Sequence, residues 1–156
     1  MDEKPVGLGT VRFVAQCGTD SQQVLSKAKS VLTEVDQVAL REWPGDSTWR
    51  EILPAWFVAR CAAEQTREEA ETWLKWWRAL PPDEQAEVER NKPWSLTAWL
   101  HWLKPTENRK WFWWDAAESG GNKIILAVEV KDWPFPWGSL AWLLRAAGAT
   151  RVDAEE

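Results

Sequence analysis

The sequence predicts an α+β fold in which several short amphipathic helices pack on a small antiparallel sheet containing a C-terminal β-hairpin. Three observations carry that expectation. Two β-rich runs, residues 111–114 and 124–130, flank a Gly-Gly turn. Between residues 21 and 103 apolar side chains recur mostly at helical spacing. A short alternating run at 10–16 precedes them, with Val11, Phe13 and Ala15 on one side.

Each element has its own signal. After Gly18, Asp20 or Ser21 can cap a helix whose stripe is Val24, Leu25, Ala28, Val31, Leu32 and Val35. The pattern weakens beyond Asp36, and residues 38–43 read as a last turn or a short strand. Pro44-Gly45-Asp46 is a turn, with Asp46 or Ser47 as the next cap. Trp49, Leu53, Trp56, Phe57 and Cys61 then form a stripe that Pro54 must kink or split into two helices. Thr66 and Glu69 form a capping box ahead of the clearest helix, where Ala70, Trp73, Leu74, Trp77 and Leu80 share one face and Arg67, Glu68, Glu71, Lys75 and Arg78 the other. Pro81-Pro82 ends it, and Pro82 with Asp83 and Glu84 opens a short acidic helix to about Arg90.

Ser95 is the next N-cap, with Trp94 placed to staple against Trp99, and Leu96, Trp99, Leu100 and Leu103 point inward before Pro105. In the hairpin's second strand Ile124, Leu126, Val128 and Val130 make a core face, and Ile125, Ala127, Glu129 and Lys131 a half-wet one. Residues 133–137, Trp-Pro-Phe-Pro-Trp, are extended because each proline disfavours helix in its predecessor. Ser139 can cap a final helix over 140–147 that Gly148 ends, and the last residues are a charged tail or an edge strand. The whole is expected to be one domain over 1–156, with 1–8 and 151–156 the ends that fray.

Composition narrows the classes of function. At 45% hydrophobic and 28% charged, the chain is neither a disordered nor a membrane sequence. Its first residues lack the basic-then-apolar signature of an export signal, so the expected location is the cytoplasm. A net charge of −5 argues against nucleic acid and anionic lipid as partners and suits a basic protein. Cys17 and Cys61 have neither CxxC spacing nor a neighbouring histidine and read as reduced structural thiols. No cofactor and no metal is expected. Gly7-Leu8-Gly9 and Gly120-Gly121 lack the rest of a nucleotide loop.

The candidates for chemistry are weak. His101, the one histidine, lies with Thr97 and Lys104 on the polar side of its helix, without an orienting partner. Asp83, Glu84 and Glu87 share a helix surface that the helix dipole explains. Asp115 and Glu129 can converge on the half-wet side of the hairpin, with Arg109 or Lys131 between them.

Fifteen tryptophans stand beside no tyrosine. Each indole buries roughly 150–250 Å², too much for one small core to hold all fifteen, so some must reach the surface. Helical phase sends Trp73, Trp77 and Trp99 to the core. It leaves Trp76 at a margin and Trp142 opposite Leu140, Leu143 and Leu144, with Arg145 in cation–π reach of Trp142. Strand alternation exposes one aromatic pair, such as Phe112 and Trp114, on the Glu129 face, unless the final helix and residues 133–137 cover it. The function expected is therefore a non-enzymatic protein-binding domain, an inhibitor or immunity-type neutraliser of a basic effector, with Trp76, Trp114, Trp142, Arg145, Phe112 and Glu129 as its binding residues. The alternative is a small enzyme or ligand-binding domain with a Trp-lined pocket between hairpin and helices, using Asp115, Glu129 or His101. A homodimer through the same patch is a third reading.

Overall fold

The computed structural model describes residues 9–18, 20–39, 41–104, 111–120, 122–130 and 137–154. Of the residues singled out above, Gly7, Leu8, Pro105, Arg109, Gly121, Lys131, residues 133–136 of the extended segment and the side chain of Trp114 lie outside them. In chain order the elements are β1 (Gly9–Cys17), α1 (Ser21–Ala39), α2 (Asp46–Ile52), α3 (Ala55–Arg60), α4 (Arg67–Arg78), α5 (Pro82–Asn91), α6 (Leu96–Leu103), β2 (Trp111–Ser119), β3 (Lys123–Val130), α7 (Gly138–Ala147) and β4 (Ala149–Ala154). The strands form one antiparallel sheet in the order β2-β3-β1-β4. This is the α+β arrangement the sequence predicts.

The sheet has one dry face. Phe13, Ala15 and Cys17 of β1, Ile124, Leu126, Val128 and Val130 of β3, Trp111 of β2 and Val152 of β4 are buried there. Helices α1 and α7 cover it, α1 through the predicted stripe from Val24 to Val35. Behind α7 stand α6 and the α2–α3 pair, where Phe57 meets Trp99 with ring centroids 4.7 Å apart. Pro54 splits that pair, since α2 stops at Ile52 and α3 starts at Ala55. The start of α6 is tied to its neighbours by Ala62 N–H donating to the Trp94 carbonyl at 2.8 Å and by Thr97 Oγ1 donating to Asp46 Oδ2 at 2.7 Å.

Some expectations change. Asp46 lies inside α2 and serves Thr97, and the N-cap is Gly45. Ser139 does not cap α7, whose N-cap is Trp137. Ser139 is 3% exposed and accepts from two directions: Trp111 Nε1 donates to its hydroxyl at 2.9 Å, and Trp99 Nε1 donates to its carbonyl at 3.0 Å. One buried serine thus satisfies two buried indoles, one from the sheet and one from α6, and joins both to α7. Residues 151–154 are not frayed but belong to β4, whose partner is β1.

The hairpin alternates as expected up to Trp113, which packs against the core with Trp111. The register then shifts between Trp113 and Asp115, so that Asp115 faces Ala127 and Ala116 faces Leu126. Alternation read straight through the run misses this shift. The reverse face of the sheet carries Phe112, Asp115 and Ala117 from β2, Ile125, Ala127 and Glu129 from β3, and Thr10, Arg12 and Val14 from β1. None of these is fully buried. Helix α7 does not cover that face, as it lies on the dry one, and Trp137 packs there too, 4.9 Å from Phe13 between ring centroids.

Candidate functional site

Two features stand apart from the core: the α4–α5 hairpin and a cleft beside it. Helix α4 begins on the complete capping box, with Glu69 N–H donating to Thr66 Oγ1 and Thr66 N–H to Glu69 Oε1, both at 3.1 Å. It stops before Pro81-Pro82, and the chain turns back as α5 with proline in its first turn. The two helices are joined by reciprocal bonds. Gln85 Nε2 donates to the Trp77 carbonyl at 3.1 Å, and Trp77 Nε1 donates to the Gln85 carbonyl at 3.2 Å.

Sequence reasoning places Trp73 and Trp77 in the core, and the structure corrects this: α4 has no buried residue. Trp73 and Trp77 stack on each other, ring centroids 6.1 Å apart and planes 15° from parallel, and Lys92 Nζ lies 4.0 Å from the Trp73 ring. The cause is compositional. Helical phase identifies residues that share a stripe, but α5 offers only Ala86 and Val88 as apolar cover, too little for two indoles. Leu74, 38% exposed, and Trp76, 52% exposed, are the exposed large apolar side chains among the described residues, and both belong to α4. Trp76 lies 6.2 Å from Trp73, so Trp73, Trp76 and Trp77 form a continuous aromatic cluster, with Leu74 on the other flank of the helix from Trp76.

Carboxylates outnumber cations around the patch: residues 67–91 hold seven against four, and Lys92, against the Trp73 ring, is a fifth cation, which leaves a net −2 over residues 67–92 of the chain's −5. The Arg67–Glu71 pair at 3.3 Å is exposed and adds little stability.

The other predicted binding residues are not brought to this place. Trp142 is 5% exposed, which corrects its assignment to the surface. Helix α7 packs against α1 on one side and α3 on another, so its surface must be apolar nearly all round and the side opposite Leu140 is also interior. The Trp142 indole N–H has no bond of ordinary geometry among the described residues; the Cys61 sulfur is the group it favours, and it draws that thiol's pKa down against the larger upward push of burial. Arg145 does stack on Trp142 as expected, its guanidinium carbon 5.3 Å from the ring centroid.

Phe112 and Glu129 face each other across β2 and β3 on the reverse face, half-buried. Asp115 is one row further along, with Arg12 across Ala127 in its own row. Arg12 is thus one strand beyond Ala127 rather than between the two carboxylates, and Arg109 and Lys131, expected there, lie outside the described residues. His101 is exposed on α6, in the helical layer, so it shares no pocket with these carboxylates. Asp83, Glu84 and Glu87 are exposed. Among the described residues no three His, Cys, Asp or Glu side chains group as a metal site, and no helix is long and apolar enough to cross a membrane.

The cleft, of about 480 Å³, lies between α5, α7 and β4 rather than between hairpin and helices. Trp94 and Trp137 line it, with Ala141, Arg145 and the strand from Thr150 to Ala154. Trp94 lies over Gly138, where an added Cβ would come within 2.7 Å of its ring. Neither tryptophan is marked by helical phase, because both sit in connections, and only the prolines and the glycine around Trp137 hint at a close approach. In comparisons with known proteins, no family model, curated protein or solved structure matches the chain.

Proposed function

We propose that the chain is a non-enzymatic cytoplasmic protein-binding domain that docks a basic protein through the aromatic patch of α4, as an inhibitor or immunity-type neutraliser of a basic effector. The observation that carries the reading is the exposure of Trp76 and Leu74 on a helix that buries none of its residues. Large aromatic side chains at a patch centre, ringed by charge, are the composition of binding hot spots. The excess of negative charge in residues 67–92 selects the partner's sign and would speed encounter with it.

The test uses basic proteins encoded next to this chain's gene, titrated by calorimetry against the wild type, Leu74→Ser/Trp76→Ser and Glu68→Lys/Glu71→Lys. A hot spot of about 2 kcal/mol or more predicts at least a ~30-fold loss for the apolar pair. The charge reversal should lower the association rate and remove its salt dependence. Unchanged affinity in both variants would sink the assignment. Sedimentation of the protein alone separates the homodimer reading, which requires the apolar pair to shift the chain from dimer to monomer.

A further inference from the structure

We infer that the cleft between α5, α7 and β4 is a binding site for a carboxylate carried on an aromatic or apolar body, the carboxylate held by Arg145 and the body between Trp94 and Trp137. The cleft's volume, about 480 Å³, is in the range of small-ligand sites, roughly 300–1,000 Å³. Its walls are held in place before any ligand arrives. Trp94 rests on Gly138, where no Cβ intervenes, and Trp137 rests on Phe13. Arg145 is clamped by stacking on Trp142 and by donating Nη2–H to the Lys92 carbonyl at 3.0 Å.

Arg145 is also a cation without a counter-charge. It is half-buried, its Nε is buried with no hydrogen-bond partner, and burial pushes its pKa down. Among the described residues no carboxylate pairs with it. The cleft's other arginine, Arg151, is already neutralised by Asp153 at 2.6 Å, and the remaining carboxylate, Glu89, is exposed and screened by water. A desolvated guanidinium beside two indole faces is complementary to an anion with an apolar tail, because the planar fork binds carboxylate through paired charge-assisted bonds. That chemistry has two sources, a free aryl carboxylic acid or the C-terminal carboxylate of a peptide ending in an aromatic residue. The site shares none of its lining residues with the α4 patch, and Lys92 stands between the two, its ammonium on Trp73 and its carbonyl on Arg145.

The experiment titrates the full chain with 3-phenylpropionate and with 3-phenylpropanamide, following the indole N–H signals by NMR. The acid should bind saturably, with a Kd on the order of 1 mM for a ligand of about eleven non-hydrogen atoms, and the amide at least ~10-fold more weakly. Arg145→Gln should reduce the acid to the affinity of the amide while leaving the amide unchanged, a result that loss of a merely structural arginine would not produce. Ala141→Leu, checked for an intact thermal transition, should weaken both ligands by filling the cleft. An acetylated tetrapeptide ending in phenylalanine, with free or amidated carboxyl, separates the sources: tighter binding of the free-carboxyl peptide assigns the site to chain ends, weaker binding to small acids. Equal affinity for acid and amide, no saturation by acid or peptide, or discrimination that survives Arg145→Gln overturns the proposal.

Discussion

Replacing Ser139 by alanine should destabilise the protein through Trp111, across the sheet, and not through the helix that Ser139 belongs to. The hydroxyl is the acceptor for Trp111 Nε1 at 2.9 Å in a place where neither residue meets water. Alanine removes this acceptor from a buried indole N–H, at a cost of about 1–3 kcal/mol. The bond from Trp99 survives because it ends on the Ser139 carbonyl. For a chain of this length, each kcal/mol lowers Tm by about 2–4 °C. A lost N-cap would cost about 0.5–2 kcal/mol, so magnitude alone does not separate the two roles. A double-mutant cycle does. On the Trp111→Phe background the donor is already gone, and Ser139→Ala should there cost at least ~1 kcal/mol less than it does in the wild type. Urea unfolding of the four proteins measures the coupling, and the Trp111 indole N–H resonance should move in Ser139→Ala. Equal losses on both backgrounds, or a loss under about 0.5 kcal/mol, would refute the argument.

Gly148 sits at φ +130°, and an added Cβ would meet Val24 Cγ2 at 2.9 Å, so Gly148→Ala should lower the urea midpoint by an amount corresponding to about 1–3 kcal/mol. Removing the cap hydroxyl in Thr66→Ala costs about 1 kcal/mol, felt locally: hydrogen exchange in α4 should accelerate while the global Tm stays nearly constant, because α4 buries nothing. Burial raises the thiol pKa of both cysteines above the ordinary value, which lowers the thiolate fraction at pH 8. Reaction with a disulfide reagent should therefore be slower than for free cysteine, slowest at the more buried Cys17, and should still be accelerating as pH rises past 9; a plateau by pH 8.5 would contradict this.

Local signals in this chain are legible and long-range ones are not. The capping box at Thr66 and Glu69, the break at Pro54, the stripe of α1, the hairpin around Gly120 and the stop at Gly148 each arise within a few residues of their cause, and each is present. What misled the reading was the identity of the neighbour. Trp142 lies opposite a leucine face yet is interior because α3 closes on that side, and Trp73 lies at the centre of an apolar face yet is half-exposed because α5 is too polar to cover it. Ser139 has the position and residue type of a cap, but two distant indoles claim it first. The cleft was invisible for the same reason, since its walls come from two stretches far apart in sequence, α5 with Trp94 on one side and α7 with β4 on the other.

The distribution of these signals bears on the docking surface itself. The densest local support in the chain is spent where tertiary packing is thinnest. Helix α4 has the reciprocal capping box, a proline follows at the first turn of α5, and Gln85 reaches back to the carbonyls of the last turn, to Trp77 and, at 3.4 Å, to Arg78. A helix of twelve residues is marginal in water on propensity alone. Burial supports the other long helix, α1, which has six core side chains and a simpler start, Asp20 Oδ1 accepting from the Gln22 N–H at 3.0 Å. Caps and short-range bonds thus support α4 while Trp73 and Trp77 are only half covered and Trp76 stays exposed. Burying Trp76 and Leu74 against the body would have stabilised the fold more, at about 25 cal/mol per Å², and would have removed the surface. The sequence of α5 prevents it, because the residue of α5 bonded to Trp77 is Gln85 and Val88 is its one half-buried apolar side chain.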